Sequence, residues 1–283
     1  MNYRHAYHAG NFADVFKHVA LTLALAHLGR KDTPFAVFDL HAGIGRYDLA
    51  GVEAGKTGEW LTGIGQLLDG PSLPGTEPYL EVVRAMNPGG ALRFYPGSPR
   101  IARALLRPGD RMVLNELHPD DLIALKAEFR RDRQVTTHGM DAYAALKAMV
   151  PPPERRGLVL IDPPFEEKDE FDRVLDGLAQ GLRRWASGTY AIWYPIKDLP
   201  PVVDFHQRLA ALAGERPVLA ADFLIHPPYV PFRLNGCGLA FINPPWKLDE
   251  ALAELMPRLN ARLGNEDGES HVRLLGDPTS KWY

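Results

Sequence analysis

The sequence predicts an α/β fold of the doubly wound kind, with a mostly parallel sheet. Short apolar, strand-like runs alternate with segments whose apolar residues recur every three or four positions, as in amphipathic helices. This alternation implies right-handed crossovers and helices on both faces of the sheet. A chain of 283 residues is long enough for one large domain with an insertion. The predicted strands are residues 35–40, 111–117, 134–139, 157–162, 189–196, 217–225 and 237–243.

A helical segment is predicted ahead of the first strand, within residues 1–30. Asn11 can cap this helix and Gly29 can end it. We expect the segment to pack over the strand ends, where ligands bind in folds of this kind.

The interval between the first two strands is about seventy residues, too long for one crossover. Residues 50–92 are therefore predicted to form an inserted helical subdomain within a single domain spanning 1–283. The crossover helix itself is predicted from Ser98 to Leu106, with the serine as its cap and Pro99 in its first turn.

Composition limits the class of protein. The single cysteine, Cys237, cannot form an internal disulfide, and no apolar stretch approaches the roughly 18 residues that a membrane span needs. We therefore expect a cytoplasmic, soluble protein with no membrane partner. The net charge of −3 argues against holding long duplex tracts through phosphates, but leaves room for a small nucleic-acid footprint. Two basic stretches could contact substrate or be ordinary solvated surface: Arg93, Arg100, Arg103, Arg107 and Arg111, then Arg130, Arg131 and Arg133.

Polar residues follow four of the predicted strands, at the edge where a parallel sheet binds ligands. The loop 41–45, with Gly43, can turn sharply and approach a ligand closely. Glu116 could accept hydrogen bonds from ribose hydroxyls, or simply face water. Asp141 could bond an adenine edge or cap the following helix. The fourth strand ends in the sequence Asp-Pro-Pro-Phe at 162–165.

Together, in this order, these features are typical of a Rossmann-like class I methyltransferase that uses S-adenosylmethionine to modify an amine. An adenine amine is a poor nucleophile because its lone pair is delocalised into the ring. Hydrogen bonds accepted by Asp162 and by the carbonyl of Pro163 would favour its nucleophilic form, and Asp162 could take the departing proton. Phe165 can stack on the base, a contact worth about 1–3 kcal/mol.

A similar sequence, Asn-Pro-Pro-Trp, occurs at 243–246 after the seventh predicted strand. Asp162 follows a strand expected beside the first, and so lies next to the glycine loop. Asn243 is expected at the far side of the sheet, where Pro-Pro-Trp ends a strand and packs. The sequence therefore favours 162–165 as the catalytic motif.

The chain also resembles a known family, in the segments YRHAYHAGNFADVFKH, DLHAGIGRY, YPGSP, NELHP, LIDPPF and INPPWKL. These are similar to the bacterial RlmJ family, whose members methylate an adenine N6 amine of 23S ribosomal RNA. The resemblance implies a monomer with S-adenosylmethionine as cofactor, large-subunit ribosomal RNA as partner and no obligate protein partner. It implies Asp162, Pro163 and Phe165 as catalytic residues. The cofactor would be bound by Lys17, His18, His41, Gly43, Ser98, Glu116, Asp141, Ala142 and Asp162, and the RNA by Tyr3, His5 and Phe165.

Two positions depart from the family pattern. Phe165 stands where tyrosine is more familiar, which keeps stacking but removes a hydroxyl. Ala142 replaces a glycine, which puts a backbone contact to the cofactor in doubt.

Three alternatives stay open at this point. A DNA adenine-N6 methyltransferase uses a similar motif. A metal-dependent hydrolase could use early histidines or the group Glu116, His118 and Asp120, although no pair has firm metal-ligand spacing and the expectation is no metal. A non-catalytic RNA-binding protein could share the scaffold.

Overall fold

An eight-stranded sheet forms the centre of the protein, with helices on both faces. The computed structural model describes residues 4–231 and 233–276. Its strands are β1 (Ala36–Asp39), β2 (Arg46–Asp48), β3 (Phe94–Pro96), β4 (Arg111–Asn115), β5 (Val135–His138), β6 (Gly157–Ile161), β7 (Thr189–Ile196), β8 (Val218–Leu224), β9 (Gly236–Ile242) and β10 (Glu269–Leu274).

The order across the main sheet is β10-β8-β9-β7-β6-β1-β4-β5. The pairings among β5, β4, β1, β6 and β7 are parallel. Those of β7 with β9, β9 with β8 and β8 with β10 are antiparallel. The predicted α/β fold with a mostly parallel, Rossmann-like sheet is confirmed, and all seven predicted strands occur.

Three strands were not predicted. β2 and β3 form a small antiparallel ribbon beside the sheet, and β10 is an edge strand. β2 and β3 have three residues each, too few for an apolar pattern to register. β10 is mostly polar and only partly buried, as is common for edge strands.

The helices pack in two layers, one on each face of the sheet. Their bounds are α1 (Phe12–Leu28), α2 (Val52–Thr57), α3 (Ile64–Asp69), α4 (Glu77–Ala85), α5 (Ser98–Leu105), α6 (Pro119–Glu128), α7 (Ala142–Met149), α8 (Glu170–Arg184), α9 (Leu199–Ala213) and α10 (Leu248–Leu263). One apolar core includes residues of α1, α4, α5 and α10, and the other includes residues of α7, α8 and α9. No helix of the described residues is both long and apolar enough to cross a bilayer.

The helix α1 has the caps expected from the sequence. The side chain of Asn11 accepts a hydrogen bond from the amide of Asp14 at 3.0 Å, and the helix ends before Gly29. Most of its residues are buried, so its polar side chains need partners inside the protein.

The segment between β2 and β3 contains α2, α3 and α4, with a short 3-10 helix (Glu59–Leu61). This segment lies within the predicted insertion, whose limits of 50–92 stay a prediction. The crossover helix α5 begins at Ser98 as expected, but its cap is Gly97 and the serine makes no capping bond. The prediction of Ser98 as cap is wrong.

Candidate active site

A cavity of about 970 Å³ opens at the carboxyl ends of the parallel strands. Its size is in the range of small-molecule sites, and its position is the usual one in open α/β sheets. Tyr3 lies outside the described residues. Every other predicted site residue lines the cavity: His5, Lys17, His18, His41, Gly43, Ser98, Glu116, Asp141, Ala142, Asp162, Pro163 and Phe165.

Asp162 is held by a lysine from α1. The ammonium of Lys17 lies 2.7 Å from Oδ2 of Asp162 and 2.8 Å from Oδ1 of Asp14. Burial opposes the charge on the lysine, but the two carboxylates raise the pKa of Lys17 well above its usual value. The lysine is therefore a permanent cation that fixes one oxygen of the Asp162 carboxylate.

Asp14, the second carboxylate that contacts Lys17, also binds residues of the N-terminal segment. It is 1% exposed and accepts hydrogen bonds at 2.9 Å from Nε2 of His5 and from the amide of Gly10. Burial would raise the pKa of Asp14, but electrostatic attraction to His5 and to the ammonium of Lys17 holds it well below its usual range. The ring of His5 also packs edge-on against Tyr47 at 5.1 Å. The N-terminal segment is thus joined to the site through one buried anion.

His18 has one satisfied ring nitrogen and one unsatisfied one. Its Nδ1 lies 2.7 Å from the hydroxyl of Tyr95, whereas its Nε2 is buried without a hydrogen-bond partner among the described residues. Burial lowers the pKa of His18 to about 3, so the ring is neutral. A buried, unpartnered ring nitrogen beside a cavity is suited to a bound ligand.

The glycine loop and Glu116 are joined directly. Oε2 of Glu116 accepts a hydrogen bond from the amide of Gly43, and Oε1 accepts one from the amide of His118, both at 2.8 Å. Gly43 has φ +58°, and a Cβ at this position would lie 2.3 Å from the hydroxyl of Tyr47. Only glycine fits here without displacing the tyrosine. The carboxylate of Glu116 is thereby fixed at the cavity wall.

Below the loop lies a carboxyl group that the sequence did not single out. Asp39 is buried, and its two oxygens accept from the hydroxyl of Ser98 at 2.6 Å and the amide of His41 at 3.3 Å. Burial raises the pKa of Asp39 to about 7. The hydroxyl predicted to cap α5 is therefore used to bridge that helix to β1.

His41 connects the glycine loop to the Asp-Pro-Pro-Phe motif. Its Nδ1 accepts a hydrogen bond from the amide of Asp162 at 3.2 Å. Burial lowers the pKa of His41 to about 4, so this nitrogen can act as an acceptor in the neutral ring. The histidine thus positions the backbone at the end of β6.

Asp141 is the N-cap of α7, one of the two roles left open for it. Its Oδ1 accepts hydrogen bonds from the amides of Tyr143 and Ala144 at 3.0 and 2.9 Å. The side chain is 47% exposed and its other oxygen lies 3.4 Å from Arg173. Capping places this carboxylate and the neighbouring Ala142 at the cavity.

Phe165 forms the aromatic part of the motif. Its ring meets Phe171 and Trp193 edge to face, with centroids 4.9 and 5.9 Å away. Its backbone has φ +50°, an uncommon conformation for a side chain of this size. The turn after Pro164 therefore directs the ring toward the pocket wall rather than along the strand.

The similar motif at 243–246 lies at the opposite edge of the sheet. Because β9 runs antiparallel to β7, Ile242 pairs with Tyr190 and Asn243 follows at the amino end of β7. The motif is thus away from the cavity, as predicted. However, β9 lies directly beside β7, so the prediction that Asn243 lies at the far side of the sheet is wrong. Trp246 is 71% exposed, so the prediction that this tryptophan packs is also wrong.

The basic stretches noted in the sequence do not line the cavity. Residues 130–133 precede β5 and so lie at the opposite edge. The first stretch is neutralised by paired carboxylates, in the pairs Arg93–Asp48, Arg100–Glu128, Arg103–Asp132, Arg107–Asp110 and Arg111–Glu154.

Comparison with known proteins identifies the family. A family model described as "Ribosomal RNA large subunit methyltransferase D, RlmJ" matches residues 32–275. The chain belongs to the RlmJ family. Curated proteins named "Ribosomal RNA large subunit methyltransferase J" from Escherichia coli and Haemophilus influenzae are each 42% identical to it, over 93% of this chain and 94% of theirs. A crystal structure of a Legionella pneumophila protein is 31% identical, with a TM-score of 0.88, covering 95% of this chain and 99% of that one.

Membership makes this RlmJ-family chain a methyltransferase enzyme, and it implies S-adenosylmethionine as methyl donor. It counts against the hydrolase and the non-catalytic scaffold. Within residues 4–231 and 233–276, no three His, Cys, Asp or Glu side chains come together as metal ligands. Glu116 and His118 are instead linked through a backbone amide.

Three residues of this RlmJ-family site were missed by the sequence analysis: Asp14, Asp39 and Tyr47. Asp14 precedes Lys17 by one helical turn, a spacing that favours an ion pair and could have been noticed. Asp39 ends the first strand, which is itself a signal. Nothing in the sequence links Tyr47 to Gly43, because their contact depends on the path of the loop.

Proposed function

We propose that the chain transfers a methyl group from S-adenosylmethionine to the N6 amine of one adenine in large-subunit ribosomal RNA. The names of the relatives, which specify large-subunit ribosomal RNA, support the substrate class. The site at the end of β6 supports an amine as the acceptor.

The arrangement of Asp162 is the observation on which the proposal rests. Lys17 holds Oδ2, while Oδ1 makes no hydrogen bond with any described residue. The side chain is 16% exposed, so it borders the cavity without being freely solvated. One oxygen is therefore fixed and the other is open to a proton donor such as an amine.

The residues after β6 suit an adenine amine. Asp162 Oδ1 accepts one amine proton, and the carbonyl of Pro163 can accept the other because the prolines supply no competing N–H. Both bonds draw the lone pair out of conjugation with the ring. When the nitrogen gains a methyl group it gives up one of its two protons, and Asp162 receives it.

The other half of the cavity suits the methyl donor, which supplies an electrophilic methyl group when bound. Nε2 of His18 offers an unsatisfied polar atom, and the Glu116 carboxylate can accept from ribose hydroxyls beside the loop at Gly43. His41 and Ser98 hold the walls between these groups. The residues present fit the cofactor, and we assign them to its binding.

Phe165 and His5 are assigned to the substrate. Phe165 is half-buried and lines the cavity, so its ring can stack on a base, a contact worth about 1–3 kcal/mol. An adenine within a stacked loop must be extruded to reach Asp162.

The test is methyl transfer with a labelled donor. Purified protein is incubated with methyl-labelled S-adenosylmethionine and unmodified ribosomal RNA transcripts, and the RNA is digested to nucleosides. We expect label only in N6-methyladenosine from the large-subunit transcript, at one position by nuclease mapping.

Duplex DNA serves as the parallel substrate. Label on DNA and not on RNA would keep the amine chemistry and replace the substrate with DNA adenine. Label on any atom other than the adenine amine would contradict the role given to Asp162.

A further inference from the structure

The cavity has a second wall that the proposed function leaves unused. Lys197 follows β7, and Arg233 lies in the loop 225–235 between β8 and β9. Both side chains line the same cavity as Asp162, and both residues are exposed. Neither forms an ion pair within residues 4–231 and 233–276, unlike the arginines of residues 93–111. We call Lys197 and Arg233 the cationic rim.

The rim is held in place by one buried amide. The side chain of Asn235 is fully buried and donates to the carbonyls of Lys197 and Val230, each at 2.8 Å. Its backbone amide donates to Ile196 at 3.0 Å, and its carbonyl accepts from Ile225 at 2.9 Å. These bonds fix the backbone at Lys197 and at Asn235, two residues from Arg233, which lowers the entropy lost when a ligand binds.

Aromatic surface lies in the same loop. Tyr229 is 79% exposed. It is four residues from Arg233. Exposed aromatic rings interleaved with cations are the surface that single-stranded nucleic acid uses, because bases stack on the rings while phosphates meet the cations.

The order of strands separates the rim from the cofactor residues. Glu116 follows β4, Asp162 follows β6 and Lys197 follows β7, and the sheet order is β4-β1-β6-β7. The rim thus lies beyond the catalytic carboxylate, on the side away from the groups assigned to S-adenosylmethionine. A ligand bound on this side is therefore adjacent to the target base and not to the methyl donor.

Carboxylates in the cavity restrict the path of a polyanion. Glu166 and Glu167 line it from the segment after Phe165, and both are exposed. Asp198 adjoins Lys197 in sequence. Phosphates are repelled from the glutamates, so the backbone of a bound strand runs along the β8–β9 loop.

We propose that the cationic rim binds the phosphates of the single-stranded RNA next to the target adenine, with Tyr229 stacking on a neighbouring base. The proposal rests on the proposed function for its substrate and adds the residues that hold it. The rim gives binding energy and register, while Asp162 acts on the extruded base.

The test compares two paired substitutions. In one variant Lys197 and Arg233 become Ala; in the control, Lys147→Ala and Arg183→Ala remove one exposed lysine and one exposed arginine that do not line the cavity and form no ion pair among the described residues. Binding of a fluorescently labelled, unmodified large-subunit RNA fragment is measured across a salt series, together with the KM for RNA and the Kd for S-adenosylmethionine.

Binding to a single strand weakens with salt, with a slope of log K against log salt of about −0.7 per phosphate contact. Loss of two contacts therefore makes this slope less negative by about 1.4. We expect this change in the rim variant, with a KM for RNA raised roughly tenfold or more. The Kd for S-adenosylmethionine should stay within about twofold. The control variant should keep the slope of the unmodified chain. Tyr229→Ala should weaken binding while leaving the salt slope unchanged, since stacking releases no counterions.

An unchanged slope in the rim variant, or an equal change in the control, overturns the proposal. Equal weakening for duplex DNA overturns the assignment to single-stranded RNA. A rim-dependent slope in a protein that transfers no methyl group to RNA would support the rim and refute the proposed function. Methyl transfer to RNA together with a salt slope that does not depend on the rim would support the proposed function and refute the rim.

Discussion

The two Pro-Pro motifs of this chain, at 162–165 and 243–246, are similar in sequence but differ in their position in the sheet and in their contacts. Asp162 ends a parallel strand and has one oxygen held by Lys17 in a large cavity. Asn243 ends an antiparallel strand at the other edge, where its amide donates to the carbonyls of Ala186 and Gly188 at 2.9 and 2.8 Å. One motif presents a carboxylate to the cavity, and the other uses its side chain to hold the turn before β7.

The difference teaches that strand direction decides the role of a motif. Both motifs contain a residue with positive φ, Phe165 at +50° and Asn243 at +53°, so local strain does not distinguish them. Only the first is at the carboxyl edge, where the glycine loop and α1 also converge. Function follows from the neighbours that the topology supplies.

The largest difference between the motifs is expected in catalysis. Asp162→Ala removes the proton acceptor and should lower kcat for methyl transfer by about 10²- to 10⁴-fold. Asp14 still neutralises Lys17, so the fold and cofactor binding should remain. The matched change Asn243→Ala should leave kcat per folded molecule unaltered. Single-turnover assays with both variants check this, and a loss of less than tenfold for Asp162→Ala would falsify its role.

The second prediction concerns the buried carboxyl group of Asp39 and the effect of pH on the stability of the folded chain. The folded-state pKa of Asp39 is about 7, against 3.8 for the ordinary side chain. Between these values the folded chain keeps a proton that the unfolded chain has lost, so this group reduces stability as pH rises through that window, by at most about 4 kcal/mol. Asp39→Asn should therefore flatten the fall in stability between pH 5 and pH 8.

Urea unfolding at the two pH values measures this effect. Asn243→Ala is the control, since the hydrogen bonds of Asn243 involve no titrating group. If Asp39→Asn changes stability equally at both pH values, the carboxyl is not the group responsible.

The third prediction concerns the contribution of Asn243, at the amino end of β7, to the free energy of unfolding. Asn243→Ala loses two hydrogen bonds to carbonyls and places alanine at φ +53°, so we expect a loss of about 1–3 kcal/mol in the free energy of unfolding. Asn243→Gly separates the causes, because glycine accepts this backbone conformation and loses only the bonds. Equal losses for the two variants would mean that strain contributes nothing.

The smallest effect is expected at the aromatic of the second motif. Trp246 is 71% exposed, and removing an exposed ring changes stability by about 0.5 kcal/mol or less. Trp246→Ala should also leave the KM for RNA unchanged. A substantial rise in that KM would show that this edge of the sheet contacts substrate after all.

Much of the fold was predictable because it depends on local patterns. Alternating apolar runs and helical periodicity gave the seven strands, and the residues after four of them gave the cavity wall. The antiparallel return of β9 was also encoded, because residues 225–235 contain no helical pattern and are too few for a parallel crossover. The sequence analysis did not use that signal. It therefore predicted that Asn243 lies on a strand far from the glycine loop, whereas Asn243 lies at the amino end of β7.

The remaining errors concern side chains whose partners are distant in sequence. Ser98 has the residue type and position of a helix cap, yet its hydroxyl bonds Asp39, 59 positions earlier. Asp14 pairs with Lys17 within the same helix, but it belongs to the site only because Lys17 also reaches Asp162, 145 positions away. Propensity describes neighbours along the chain, and such pairings depend on how whole elements pack.

The bond between Lys17 and Asp162 spans 145 positions of the chain, from the helix α1 to the residue that follows β6. During synthesis α1 is made before β6, so Lys17 of a partial chain has Asp14 three positions away but does not yet have Asp162. The Asp162 carboxylate joins this pair only when α1 has packed beside β6. The ion-pair triad of Asp14, Lys17 and Asp162 is therefore complete only in a chain in which two segments that are distant in sequence have packed together.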